Sequence, residues 1–395
     1  MYFTMSKLAI IITHPIQYYA PMFKHMTNRG IVCKVFYTWG EGGLNGKYDP
    51  NFCKIIEWDI PLLEGYEYEF CENIAKKPGS DHFRGIINPN LIAKIISYEA
   101  SHILVFGWNF YSHLKVLRYF KGKLPILFRG DSTLLDPLSF PQKILRKLLL
   151  SWVYKHVDIA LFVGNENKKY YQYFGLKDNQ LLFMPHAIHN DRFAFINDSQ
   201  VSFIKATNEK FNIKSTDIVV VFCGKFQLKK NIFLLVEAFK IIAKSNAHLI
   251  LVGNGELEED LKLMSTNYRN IHFLPFQNQS LMPAVYRLGQ IFCLPSQGPR
   301  ETWGLVVNEA MACSRTILVS NKCGCAMNLV KNGINGYVFE SNQLESLIEK
   351  LNILFAKKDK LIEMGKASYN IIQHWNFDAI VEGIEKCLRK ESYAE

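Results

Sequence analysis

Short, unbroken apolar runs recur along the chain, and amphipathic stretches lie between many of them. The first series is "KLAIIIT", "IVCKVFYT", "HILVFGW", "LPILFRG", "DIALFVG" and "LLFMP". A second begins beyond the polar segment Asn197 to Thr216: "DIVVVFCG", "AHLILVG", "NIHFLPF", "QIFCLPS", "TILVSN" and "GYVFE". Runs that are continuous rather than alternating mark parallel strands buried on both faces by helices. Between them, stretches such as "NIFLLVEAFKIIAKS" carry apolar residues at helical spacing. Strand and helix in alternation predict doubly wound α/β sheets, and two series predict two Rossmann-like domains. The expected divisions are residues 1–196 and 197–370, then a closing helix at 371–395. That helix has Asn376 or Asp378 to cap it and is expected to pack back on the N-terminal domain.

A length of 395 residues exceeds one comfortable core, which agrees with two domains. A formal charge of +10 favours anionic partners: nucleotide phosphates, nucleic acid or an anionic membrane surface. No helix-turn-helix, zinc finger or RNP motif is present, so nucleic acid is not an expected partner. The nine cysteines include no C-x-x-C, and the nearest pair, Cys323 and Cys325, lacks a second cluster at zinc spacing. Free thiols in a reduced, cytoplasmic setting are expected. The run Leu8 to Ile12 is too short to span a membrane and reads as a first buried strand, with Met5 an alternative start. The chain therefore reads as soluble, or peripheral at the inner face of the membrane.

Candidate chemistry gathers after the strands, where open α/β sheets bind ligands. In "VVVFCGKFQLKKNIFLLVEAF" a strand meets a turn at Gly224, and a basic loop leads into a helix. Lys225 and Lys230 flank that loop, and free amides at a helix N-terminus favour anions, so the pair suits a diphosphate. Solvated surface is the commoner setting for two such lysines. "LILVGNGELEEDL" ends a strand at Gly253-Asn254-Gly255, with Glu258 where a third glycine of a dinucleotide fingerprint would stand. Gly255 marks either close backbone approach to a flat group such as a nucleotide or a tight turn.

The richest stretch is "IFCLPSQGPRETWGLVVNEAMAC". Glu301 lies in a loop, the amides near Gly304, Leu305 and Val306 begin a helix, and Glu309 falls in its second turn. A carboxylate accepts hydrogen bonds from adjacent hydroxyls. The segment thus offers one acid to a sugar, amides to phosphate and a second acid to a diol. The plain alternative is a helix-dipole acid followed by an exposed helix glutamate. Val307, Ala310 and Met311 around Glu309 weaken it.

The pair Glu301-x7-Glu309 in this setting resembles the donor-site signature of the GT-B glycosyltransferases related to family 4, the glycosyl transferases group 1. The order of "GKFQLKKN", "LVGNGE", "ETWG" and "NKCGCAMNLVKNGINGYVFE" is similar to that family across the whole second domain. The resemblance implies two Rossmann-like domains facing a central cleft. It also implies a retaining, metal-independent transfer with no cofactor, since the nucleotide sugar is the substrate. Lys225 and Lys230 would hold the donor diphosphate. Glu301 would face the transferred sugar or act at the reacting centre, and Glu309 would bind the ribose. The implied acceptor is a saccharide or a lipid-linked molecule, in cell-surface polysaccharide or lipopolysaccharide synthesis. Three departures leave base and sugar open: Asn231 where the family commonly has glycine, the long "SQGPR" loop with Arg300, and Cys323 and Cys325 in the Gly-rich loop.

The first domain carries fewer signals. "HPIQY" directly after the first strand is similar to the opening of a subgroup of these transferases. His14 and Gln17 are thus candidates for acceptor contacts or a base, against the alternative that His14 caps the next helix. Trp39 to Phe52, rich in glycine and aromatics, reads as an acceptor-side lid or an irregular surface loop. Arg129 and Asp131 in "FRGDSTLLDP", and Trp108 and Asn109 in "GWNFYSH", stand at strand ends facing the expected acceptor. "FPQKILRKLLLSWVYKHVD" is a helical pattern whose basic residues could touch anionic lipids. The commoner arrangement is a buried amphipathic helix with a solvated basic face. Two other functions share these features: a sugar-nucleotide epimerase or phosphorylase on the same fold, and a non-catalytic nucleotide-sugar-binding protein.

Overall fold

The computed structural model describes residues 6–43, 47–49, 54–242 and 245–389. It divides into two compact units. The first comprises Met1–Lys47, Pro61–Pro185 and Phe377–Glu395, the second Tyr48–Ile60 and His186–Asn376. Apart from Tyr48–Ile60, the chain passes to the second unit between Pro185 and His186, ahead of the 196/197 boundary read from the sequence. The polar segment after Asn197 is not a connector, because it forms the helix Asp198–Lys210. Asn197 caps that helix, its Oδ1 accepting from the Gln200 amide at 2.9 Å.

Strands are numbered in chain order: β1 (Lys7–Ile12), β2 (Val32–Tyr37), β3 (Lys47–Asp49), β4 (Lys54–Ile56), β5 (Glu67–Phe70), β6 (His102–Phe106), β7 (Ile126–Arg129), β8 (Ile159–Phe162), β9 (Leu181–Phe183), β10 (Ile218–Cys223), β11 (Ala247–Val252), β12 (Ile271–Leu274), β13 (Ile291–Leu294), β14 (Thr316–Ser320) and β15 (Gly336–Phe339). The first unit holds a seven-stranded sheet in the order β5-β2-β1-β6-β7-β8-β9. Its neighbours pair in parallel. The helix Phe377–Arg389 belongs to this unit, where Asp378 accepts from His25 and Arg29 of the helix Ala20–Asn28. Asp378 is therefore engaged by side chains of another helix rather than serving only as a local cap.

The second unit holds a six-stranded sheet ordered β12-β11-β10-β13-β14-β15, again parallel throughout. Both sheets reverse direction of winding beside their first strand, β1 or β10, and that switch point is where such folds bind ligands. β10 and β11 are buried along their whole length, which is why their sequences are unbroken apolar runs.

One helix departs from expectation. Phe140–Tyr154 buries only Leu150, Val153 and Tyr154. Its outward face is apolar, with Phe140, Leu145 and Leu148 among the most exposed large hydrophobics of the chain. The solvated basic face read from the sequence is therefore only part of that surface.

Candidate functional site

In the second unit, the loops after β10 and β13 meet at the switch point. Gly224 ends β10, and its amide donates to Val252 O at 3.0 Å. Lys225 follows, half-buried, and Leu228–Lys230 forms one 3-10 turn before the helix Ile232–Ile242. Between turn and helix, Asn231 holds φ 52 and ψ 43, the left-handed region. Asparagine enters that region at lower cost than other side-chain-bearing residues, so it stands in for the family's glycine here. Its Nδ2 also donates to Asn342 Oδ1 at 2.8 Å.

The glycines after β11 serve the fold. The Gly253 amide donates to Leu274 O at 3.0 Å. At Gly255, a Cβ would lie 2.6 Å from Phe226 O and 2.8 Å from Phe226 N. The close approach read from the sequence is to the chain's own backbone beside the lysine loop.

Glu301 lies in the loop after β13, and its Oε2 accepts from Lys230 Nζ and from Ser296 Oγ, the latter at 2.9 Å. The Lys230 and Glu301 side chains are only 13% and 9% exposed. Burial pushes the Glu301 carboxyl up, but the Lys230 charge and hydrogen bond, the Ser296 hydroxyl and the Lys229 charge outweigh it and hold the pKa below the usual value. Glu301 is therefore a carboxylate at neutral pH, able to accept hydrogen bonds but not to donate a proton. Lys229 shows the field from the other side. Burial first, then repulsion from Lys230, lowers its pKa against the pull of Glu301, with Lys225 and Arg300 lowering it further. Lys230 and Lys229 thus act on the Glu301 carboxylate, and Lys225 and Arg300 act on Lys229. Backbone latches fix the two loops together: Gln297 N donates to Lys229 O at 2.9 Å, and Gln297 Nε2 to Leu228 O at 2.7 Å.

Gly304 precedes the helix Leu305–Ala312, whose first amides have no acceptor within the helix. Leu305 and Val306 are half-buried at that end. Glu309 is 1% exposed, and its Oε2 accepts from the Tyr286 hydroxyl. The structure therefore brings Lys230, Glu301 and the helix start together, while Glu309 points into the unit toward Tyr286. The cysteine-bearing loop packs directly on the Glu301 loop. The Gly324 amide donates to Glu301 O at 3.2 Å and that of Cys325 to Trp303 O at 3.0 Å. A Cβ at Gly324 would stand 1.7 Å from Thr302 O, so only glycine fits. Burial raises both neighbouring thiols, Cys323 to about 12, so they are packing groups rather than nucleophiles.

In the first unit, His14 follows β1. Its Nδ1 lies 2.9 Å from Thr13 Oγ1, and its ring meets that of Trp39 edge-on at 5.2 Å. The next helix has Tyr19 at its N-cap, so His14 does not cap it. Gln17 is half-buried in the intervening turn. Arg129 corrects the acceptor-side reading. It is 1% exposed, and its guanidinium donates to Met184 O at 2.7 Å and Pro185 O at 2.9 Å. Asp131 is half-buried, and its charge acts on Tyr19 and Tyr171. Of the Trp39–Phe52 segment, residues 44–46 and 50–52 lie outside the described residues.

The glycosyl transferases group 1 family matches residues 203–371, the span that holds both loops, both glutamates and the three lysines. Through this segment the chain is similar to that family. An uncharacterized glycosyltransferase of Haemophilus influenzae is 29% identical over 153 residues, covering 38% of this chain and 42% of its own. The lipopolysaccharide 1,2-N-acetylglucosaminetransferase of Salmonella typhimurium is 26% identical over 194 residues, covering 46% of this chain and 50% of its own. The matched stretches thus span half or less of these relatives' length. Among solved structures, Anabaena HepE in complex with UDP and glucose is similar at TM-score 0.71 and 17% identity, covering 97% of this chain and 99% of that one. The two parallel Rossmann-like sheets are those of a GT-B fold.

Within residues 203–371, four residues at the site are not singled out individually by the sequence. Lys229, Ser296 and Gln297 are singled out only by the folded contacts above. Trp303 is buried and donates from Nε1 to Asn308 Oδ1 at 2.9 Å, and Asn308 Nδ2 donates to His186 O at 2.9 Å. Its ring lies 5.1 Å from that of Trp375. The indole therefore anchors the start of the helix that bears Glu309. An aromatic directly before Gly304 was the one available cue.

Proposed function

We propose that this glycosyltransferase moves a sugar from a nucleoside-diphosphate sugar to a saccharide or lipid-linked acceptor, with retention and without a metal ion. The carrying observation is the buried Lys230–Glu301 pair beside a helix N-terminus, with Lys229 acting on Glu301 and with Lys225 and Arg300 acting on Lys229. Breaking a glycosyl–phosphate bond leaves negative charge on the diphosphate and positive character on the sugar. Lys225, Lys229, Lys230 and the amides at Leu305 and Val306 would stabilise the first, the task a divalent cation performs elsewhere. Glu301, held ionised, would accept hydrogen bonds from the sugar hydroxyls and face its developing charge. Glu309 would take the ribose hydroxyls, exchanging its Tyr286 partner on donor binding. His14 and Gln17, with Trp39 as a stacking face, would meet the acceptor. Relatives named for lipopolysaccharide and capsular polysaccharide synthesis support a role in building cell-surface saccharide.

A thermal-shift panel of nucleotide sugars tests the donor, because a ligand that binds only the native state raises Tm. The cognate donor is expected to be followed by transfer that survives EDTA, to be lost in Glu301→Gln, and to give a product with the donor's anomeric configuration. Full activity in Glu301→Gln, loss in EDTA, or an inverted product would each overturn the corresponding part.

A further inference from the structure

The helix Phe140–Tyr154 has two apolar faces. With 3.6 residues per turn, its buried residues Leu150, Val153 and Tyr154 lie on one side. On the other lie Phe140, Ile144, Leu145, Leu148, Leu149 and Trp152, exposed by 76%, 48%, 70%, 67%, 44% and 41%. A surface helix normally turns charged or polar residues to water opposite its core face. A contiguous outward stripe of six large hydrophobics marks a contact surface.

Its flanks identify the partner. Lys143, Lys147 and Lys155 lie along the same helix and just beyond its end, all exposed, and no acidic residue occurs from Phe140 to Lys155. From the adjoining helix Tyr111–Phe120, Arg118 stands over the Trp152 ring at 5.6 Å. Contact surfaces between proteins are depleted of lysine. Lysine and arginine bordering a Phe/Leu/Trp face are instead the composition of a helix lying in the plane of an anionic bilayer. Among the described residues no helix is long and apolar enough to cross a membrane, so contact would be along its length.

We propose that this helix docks the first unit on an anionic lipid surface. Its apolar stripe sits among the acyl chains, and its lysines with Arg118 lie at headgroup level. The proposal does not depend on the sugar chemistry.

Co-sedimentation with vesicles tests it, using equal parts phosphatidylglycerol and phosphatidylcholine against pure phosphatidylcholine. The protein is expected to pellet with the anionic vesicles and at least tenfold more weakly with the neutral ones. Leu145→Glu/Leu148→Glu is expected to lose at least tenfold in binding, and Lys143→Gln/Lys147→Gln several-fold. Melting temperature and donor-induced thermal shift should stay unchanged, since all four positions are exposed. Equal binding to both vesicle types, no binding by the unaltered protein, or undiminished binding by the leucine variant would overturn it. So would a dimer in light scattering that the leucine variant dissolves, since the stripe would then be an interface between copies.

Discussion

Glu301 and Lys230 neutralise each other out of water, so removing either leaves an uncompensated charge in a closed place. Lys230→Ala is expected to cost about 3 kcal/mol or more of stability in addition to donor binding, measurable by urea unfolding. The lowered pKa of Glu301 fixes the sign of its pH dependence. Its contribution is present above the ordinary glutamate range and is lost as pH falls through the folded value. A second buried group titrates nearer neutrality. His113 is fully buried between Thr38 Oγ1 at 2.8 Å and Phe106 O at 3.0 Å, and burial lowers its pKa to about 4. A ring kept neutral in the fold stabilises fully above pH 6.5, and that stability drains as pH drops from 6.5 toward 4, by up to about 3 kcal/mol. His113→Gln should flatten the dependence of Tm on pH across that window, whereas an unchanged slope would show that another group carries it. Arg129 makes the contrast between motif and role concrete. At a strand end it reads as a ligand contact, yet both nitrogens that reach carbonyls hold the chain at Met184 and Pro185.

At the scale of elements, legibility followed burial. Strands covered on both faces wrote themselves as apolar runs, and every run named in the sequence analysis became a strand, the half-exposed edge strand β9 included. β5, "EYEF", is absent from those runs because it is an edge strand whose outward glutamates pair with charged neighbours. Lys34 Nζ lies 3.3 Å from Glu67 and 2.9 Å from Glu69, and Lys94 also pairs with Glu69. A strand stabilised by ion pairs leaves no hydrophobic trace. The loops were legible through residue type, since Lys230, Glu301 and Gly304 follow a recognisable order. The contacts that tie them were not, because Gln297 reaching Lys229 joins segments some seventy positions apart. Asn231 sits between these readings. It departed from the family's glycine in sequence, and the backbone shows why the departure is tolerated. Asn231→Ala is expected to lose about 1 kcal/mol through the left-handed backbone alone, with Asn231→Gly near neutral; denaturant midpoints would check both.

For the whole molecule, the two series of runs announced two sheets, and both appeared in parallel order. The borders were less visible, since compositional shifts do not record which unit a segment packs with. Residues 48–60 show this best. They interrupt the first unit's sequence but pack with the second, where Asn278 Nδ2 donates to Glu57 O at 2.5 Å and the Ser280 amide to Asp59 Oδ1 at 3.1 Å. The helix Phe377–Arg389 is the converse case, since it belongs to the first unit but follows the whole second one. It buries Phe377, Ile380, Val381, Ile384 and Cys387. A chain ending at residue 376 is expected to keep the second unit's donor-induced thermal shift while its first unit binds a hydrophobic dye and melts earlier. A single intact melt would refute this. The same connectivity bears on synthesis. Ribosomes release chains from the amino end, and domains ordinarily fold as they emerge. Here the unit that is begun first is closed by residues made only after the whole second unit. Until then its Ala20–Asn28 helix must wait with His25 and Arg29 lacking Asp378, so the early half of this protein is obliged to mature late.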